Sequence, residues 1–415
     1  MESSSTTEYL NKTMIENSIV YRDFKNKYEY LPISRAEGAL IWDRDGKKYI
    51  DFTSSWNVTN LGWNHPEVNE AVVRQAKKNV QGLLWGSDPI QEEYAAALTA
   101  ALPRELDACV KATGGTEAIE MAIKIARVYT GRKKVIGFNG LYHGQLFASL
   151  ALGAPWQMRE KIAPLVPEIS PIEFPHEGIG KEGFEKFATD FENLLSRKDV
   201  VAVVTEPGII TGWGSTLVAY PGFLAKVREV TKKYGTLLIV DEVGTGFSLT
   251  GKLFGIEHEN VIPDMVVFAK GISNGAAAIG TVVGRSEIFE PAFADAVLIS
   301  TFGWTPVACA AALKTLQVHQ RDKTWEIAER KGAYMMKKFK ACVGDKVVDV
   351  RGKGMEIGIQ FRDVETCEQV QKAAFADGLH VVVGSQNNMQ IMPPLTIPQE
   401  LLDEGLEILL THLKR

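Results

Sequence analysis

The chain has 415 residues, 45% of them hydrophobic and 23% charged, with a formal net charge of −5. That is length enough for two or three packed units with large cores, at the composition of ordinary globular proteins. A mildly acidic balance without any basic stripe interleaved with aromatics excludes nucleic acid as an expected partner, and no apolar run approaches the roughly 18 residues of a membrane span.

The opening MESSSTTEYL is polar and lacks the basic and apolar segments of a secretory leader. The four cysteines, Cys109, Cys309, Cys342 and Cys367, have neither CxxC nor paired spacing. They fit a reducing compartment and offer no zinc site, so the expectation is a cytoplasmic protein without a metal. A mixed amphipathic segment runs to Glu29. Residues 39–52, ALIWDRDGKKYIDF, read as a hairpin around Asp45-Gly46. A helix over 67–79 puts Val68, Ala71, Val72, Gln75 and Ala76 on one face, and another over 91–102 is closed by Pro103.

From Cys109 to about Val283 strands alternate with helices. The strand candidates are ACVKA, KVIGF, VVAVVTE, LLIVD, MVVFA and GTVVG, and helices fall over 116–129, 183–195 and 222–234. This alternation predicts a mostly parallel sheet covered on both faces. The remainder begins with a helix at Pro306, which Thr305 can cap. A long helix to about Cys342 follows, then strands near Val347 and over 356–361, a helix over 365–377, a strand near His380 and a last helix from Pro398: an α+β unit.

Chemistry concentrates at the ends of the apolar strands. LLIV stops at Asp241 and Glu242, MVVFA stops at Lys270, and VVAVVTEP reaches Glu206, all at the carboxyl edge where open α/β sheets bind ligands. A carboxylate at a strand end also serves as a helix cap, and a lysine before glycine as a solvated turn residue. Three strands ending in ionisable groups favour a functional edge over three independent caps. Desolvation in the Gly-rich bend would lower the Lys270 pKa and make its free amine a nucleophile. Gly114, Gly115 and Thr116 separate a strand from a helix, a corner suited to a phosphate monoester. It matches neither GxGxxG nor GxxxxGK[ST], which disfavours dinucleotides and nucleoside triphosphates. FNGLYHG sets Tyr142 and His143 in a Gly-flanked loop, where an aromatic can stack on a flat heterocycle. A phosphate cradle, a stacking aromatic, a buried carboxylate and an amine nucleophile together describe what pyridoxal 5'-phosphate needs.

The ordered set LGWNHPEV, GGTEAIEMAIKIAR, FNGLYHG, TEP, LLIVDEVGTGF, TGKLFGIEH, PDMVVFAKGISNG, STFGWTPVACAAAL, VRGKGMEIGI and MPPLTI resembles the class III (ω-amino acid type) aminotransferases of fold type I, over about residues 30–413. The resemblance implies an α/β fold: a large domain with a mostly parallel seven-stranded sheet covered by helices, plus a smaller α+β domain from the N- and C-terminal segments. Residues 1–60 would join the small domain, 61–305 form the large cofactor-binding domain, and 306–415 the C-terminal small domain. It further implies Lys270 as the Schiff-base lysine and proton shuttle, and Asp241 beside the pyridinium nitrogen. Val243 and Tyr142 would lie on the two ring faces, with His143 beside the cofactor, Gly115 and Thr116 on the phosphate, and Glu206 as a supporting residue. Thr301 would reach the phosphate of the neighbouring subunit of a homodimer or of a higher assembly built on it.

The departures from the family bear on substrate. Members acting on α-amino acids carry an arginine three residues before PPL, where this chain has Gln390, and a paired glutamate soon after the EP motif, where GIITGWGSTLVAY has no acid. No arginine occurs over 363–414. Arg351 is left as a candidate carboxylate contact or a structural residue. Ser55-Trp56-Asn57 resembles the tryptophan-containing segment that lines the pocket of amine–pyruvate transaminases, and Trp85 falls near another pocket position. Gly244 stands where the family often has glutamine. The function expected is transfer of an amino group from an amine or ω-amino acid donor to a keto acid, pyruvate or 2-oxoglutarate, in two half-reactions. The alternatives are an amino acid racemase or a glutamate-semialdehyde-type aminomutase on the same fold, which need no dual-substrate gate, and a non-catalytic binding protein.

Overall fold

The computed structural model describes residues 31–78, 80, 86–294 and 298–414. The N-terminal tail and Trp85 lie outside the described residues.

A seven-stranded sheet carries the order Ala108–Ala112, Gly280–Gly284, Met265–Phe268, Leu237–Asp241, Val200–Thr205, Lys134–Phe138, Ile169–Ile172. It is parallel except for Gly280–Gly284, which runs antiparallel to both neighbours. The three central strands, VVAVVT, LLIVD and MVVF, are buried at every residue, as sheets covered on both faces require. Alternate side chains feed separate cores: Leu238 and Val240 join one, Leu237 and Ile239 the other. All six strands expected from sequence are present. The seventh, Ile169–Ile172, is not among those six; it carries Ser170-Pro171, and at the sheet edge the missing proline N–H costs nothing.

The N-terminal strands Ile33–Glu37, Leu40–Asp43 and Lys48–Asp51 form a second sheet, which the C-terminal strand Leu379–His380 completes by pairing parallel to Lys48–Asp51. A third sheet runs antiparallel through Val347–Lys353, Glu356–Phe361, Asn388–Ile391 and Val382–Val383. Ile50 and Phe52 share one core with Met335, Ile357 and Leu402, so both ends of the chain build a single apolar unit.

The helical stretch after Thr305 is two helices, Pro306–Asp322 and Thr324–Lys340, broken at Lys323 with φ 45°. The first presents a small-residue face, and Ala308, Cys309 and Ala312 sink into a core of the large sheet. The second sends Ala328, Met335 and Phe339 into the terminal unit. Although its sequence position groups it with the C-terminal segment, helix Pro306–Asp322 therefore packs with the large sheet.

Candidate active site

The carboxyl ends of the central strands open into a cleft of about 1060 Å³ that Glu206, Asp241 and Lys270 all line. Lys270 takes φ 49°, a left-handed conformation that costs a side chain about 1–2 kcal/mol, at the start of the short turn Lys270–Ser273. Burial lowers the pKa of its amine, and the charges of Glu206, Asp241 and Glu356 oppose that shift.

Asp241 is fully engaged. One carboxylate oxygen lies 2.7 Å from His143 Nδ1, and the other accepts the Val243 N–H at 2.9 Å. His143 is thus turned onto Asp241, and its Nε2 is buried with no hydrogen-bond partner among the described residues. Glu206 accepts from the Thr211 N–H at 2.8 Å and the Thr211 hydroxyl at 2.9 Å through one oxygen, while Oε1 has no partner among the described residues. Burial and then the charge of Asp241 push its pKa up to about 8.

The phosphate corner is built by close approach. Gly114 precedes helix Gly115–Thr130 without any side-chain cap, so the first-turn N–H groups are left to the cleft. A Cβ on Gly115 would lie 3.0 Å from Val243 Cγ2, and one on Gly144, at φ 132°, 2.4 Å from Thr116 Oγ1. Val243 accordingly packs over Gly115 only because no side chain intervenes.

Two tryptophans form a wall. Trp213, whose significance the sequence did not reveal, meets Tyr142 edge-to-face at 5.0 Å and donates to the Leu141 carbonyl at 3.2 Å. Trp56 lies in a left-handed turn in which Ser54, Ser55, Trp56 and Asn57 all have positive φ, 45° to 65°. Such a run would not persist alone. Buried Asp51 accepts the Thr53 N–H and hydroxyl at 2.8 and 2.7 Å, and Ser54 Oγ donates to the Met392 carbonyl at 2.7 Å. Asn57 Nδ2 donates to the Gly244 carbonyl and to Glu356, each at 3.3 Å.

Glu356 is the second residue that sequence reading missed. It opens a strand of the terminal unit, fully buried, and accepts from Thr216 Oγ1 at 2.7 Å and Gln390 Nε2 at 2.8 Å. Burial raises its pKa to about 7 against the pull of these donors and of Lys270. Gln390 also donates to the Thr211 carbonyl at 3.2 Å. The sole signal in the sequence is an acid between Met355 and Ile357, where a strand interior is otherwise apolar.

Other expected residues fall elsewhere. Arg351 does not line the cleft: Nε donates to the Thr216 carbonyl; Nη2 donates at 2.9 Å both to the Ser215 carbonyl and to Gln360 Oε1; and Nη1 pairs with Asp349 at 3.0 Å. Its fork is spent on pinning the loop that carries Thr216, so the candidate carboxylate contact is a structural residue. Gln390 stands one layer behind the wall. Thr301 is exposed and outside the cleft, between exposed Ile299 and Phe302. Trp85, as noted, is outside the described residues.

Residues 23–413 match the profile of the class III aminotransferases. The chain belongs to that family. It is 36% identical over 386 residues to an acetylornithine aminotransferase of Methanopyrus kandleri, spanning 92% of this chain and 94% of the relative. Its fold matches an (S)-enantioselective omega-transaminase of Thermomicrobium roseum with a TM-score of 0.88 at 30% identity, each chain covered in full. It matches an ornithine aminotransferase of Toxoplasma gondii with a TM-score of 0.87 at 25% identity, covering 97% of this chain and 94% of the other. The protein is a transaminase dependent on pyridoxal 5'-phosphate. The residues of this aminotransferase fit that group: an uncapped helix N-terminus beside Gly115, a buried carboxylate oriented by His143, and an amine depressed by burial share one cleft.

Proposed function

We propose that this aminotransferase takes an amine or ω-amino acid as donor, bound amine-first, and a keto acid, pyruvate or 2-oxoglutarate, as acceptor, in alternating half-reactions of a ping-pong cycle. The wall of the cleft carries this reading. Trp56, Trp213 and Met158 line one side, and no arginine is found among the described residues that line it. A donor whose far end is apolar or weakly polar fits such a wall better than one whose carboxylate needs a bidentate partner. Among its relatives, the omega-transaminase of Thermomicrobium roseum is compatible with a donor of this kind, whereas acetylornithine and ornithine each carry a carboxylate at the far end.

When bound, pyridoxal phosphate supplies an electrophilic carbon and a ring that withdraws electrons from the substrate's Cα. Lys270, whose amine burial makes less basic than a free lysine, removes the Cα proton and returns it. Asp241, anchored by His143 and the Val243 N–H, holds a proton on the ring nitrogen. Val243 and Tyr142 confine the ring, Gly115 and Thr116 hold the phosphate, and Glu206 stores a proton in the wall. The reading extends to a cytoplasmic homodimer in which Thr301 reaches the partner's phosphate. Its support is the exposure of Ile299 and Phe302, 58% and 66%, beside Thr301; among the described residues no cysteine forms a disulfide, and no helix is long and apolar enough to cross a membrane.

Single-turnover spectra test the reaction class. Holoenzyme mixed with donor alone should lose its visible cofactor band and regain it only when pyruvate or 2-oxoglutarate is added. A band that persists while one amino acid is continuously racemised or isomerised would overturn the proposal in favour of the racemase or aminomutase reading.

A further inference from the structure

Glu356 has no task in the chemistry assigned above, yet it is a fully buried carboxylate close enough to Lys270 for its charge to influence the amine. It reaches the cleft through its partners. Asn57 follows Trp56, Gln390 donates to the Thr211 carbonyl, and Asn57 also donates to the Gly244 carbonyl; Trp56, Thr211 and Gly244 all line the cleft. Its hydrogen bonds come from two amide N–H groups and one hydroxyl, with no cation among them. The nearest guanidinium in sequence, Arg351, is committed to the Ser215 and Thr216 carbonyls, Gln360 and Asp349. With its pKa raised to about 7, Glu356 carries its charge above neutral pH, where it is solvated only by neutral dipoles, and in a desolvated wall that charge acts at longer range than in water.

We propose that Glu356 is a specificity-determining residue for the acceptor: its buried negative charge, held one layer behind Trp56, Thr211 and Gly244, disfavours a second carboxylate and biases the enzyme toward monocarboxylate keto acids such as pyruvate over dicarboxylates such as 2-oxoglutarate. The inference rests on the keto-acid transaminase reading. It sharpens that reading by choosing between its two acceptors. One partly screened unit charge at an effective dielectric near 20 is worth about a tenfold preference.

The test uses holoenzyme with one amine donor. In Glu356→Gln the ratio of kcat/KM for pyruvate to that for 2-oxoglutarate should fall about tenfold, through KM for 2-oxoglutarate rather than kcat. A parallel calorimetric titration with glutarate and with butyrate, neither of which reacts, should show glutarate binding tightened about tenfold relative to butyrate. Glu356→Met, which removes the same charge with an apolar side chain of similar length, should shift both ratios the same way, and it decides the question if Glu356→Gln does not fold. A glutarate-to-butyrate ratio that stays within about twofold of wild type in the folded variants, or a uniform loss of kcat for both acceptors, overturns the role of Glu356. The titration needs no turnover. Hence a tightened glutarate complex in an enzyme that transfers no amino group to either acceptor would count against the transaminase cycle and not against Glu356.

Discussion

Asp241 and Glu356 are both buried carboxylates whose charge Lys270 feels, and the two sides of the cleft they belong to are built differently. Asp241 ends a strand of the large sheet and is gripped by an imidazole and a backbone N–H. Glu356 begins a strand of the terminal unit and is solvated by neutral side chains from three distant segments, with its pKa raised to about 7. The first arrangement orients a charge for chemistry common to every substrate. The second stations a charge where it can discriminate among substrates. Variants on the Asp241 side should therefore lower turnover for all acceptors alike, whereas those around Glu356 should redistribute it.

The largest effect belongs to Lys270→Ala, for which kcat should fall by at least about 10³-fold with any acceptor, because both the nucleophile and the proton carrier are gone. Stopped-flow turnover measures it; a loss confined to one acceptor would break the division between the two sides. Next comes His143→Ala, which should cost about 10²-fold in kcat by freeing Asp241 to rotate, with the pyruvate to 2-oxoglutarate ratio unchanged. If that ratio moved as much as kcat, His143 would belong with the selecting wall. Gly115→Ala should weaken cofactor binding about tenfold, since its Cβ would lie 3.0 Å from Val243 Cγ2 and displace the residue that confines the ring. Equilibrium dialysis of the cofactor reads this directly.

A smaller effect concerns stability. Glu242, buried behind the cleft and hydrogen-bonded to Thr245 Oγ1 at 2.6 Å and the Ile256 N–H at 2.7 Å, has its pKa raised from 4.5 to about 7 by burial. Between those values the folded protein binds the proton that the unfolded chain has released. This contribution is therefore fully present below pH 4.5 and lost as pH rises through about 7, worth at most on the order of 3 kcal/mol. Urea melts of Glu242→Gln apoprotein should show a flatter decline across that window than wild type, while an unchanged slope would assign the decline to Glu206 and Glu356. The mildest variant is Arg351→Met. It should cost about 1–3 kcal/mol of stability by releasing the Ser215 and Thr216 carbonyls, and change KM for either acceptor by less than about threefold. A selective rise in KM for keto acids would return Arg351 to the site.

What could be read in advance was what is contiguous in the chain. A β-branched run followed at once by Asp241 or Lys270 names both a buried strand and the group it delivers, and Gly114-Gly115-Thr116 before an amphipathic helix names a phosphate corner, because strand, turn and helix signals act over a few residues. The six strands and the lysine, carboxylate and aromatic of the cleft follow from that locality. The strand Ile169–Ile172 escaped because its proline is permitted only by an edge position that the whole sheet defines. Arg351 was a reasonable carboxylate contact until its fork was seen closed on carbonyls 135 and 136 positions away. The left-handed turn at Trp56 and the meeting of Glu356 with Asn57, Thr216 and Gln390 join segments separated by 299, 140 and 34 positions. Local sequence pointed to the cofactor and to the residues proposed to work on it. Only the docking of the terminal unit onto the large sheet decided which buried charge stands behind the substrate wall, since burial and pairing are properties of the assembled cores and of no single stretch of chain.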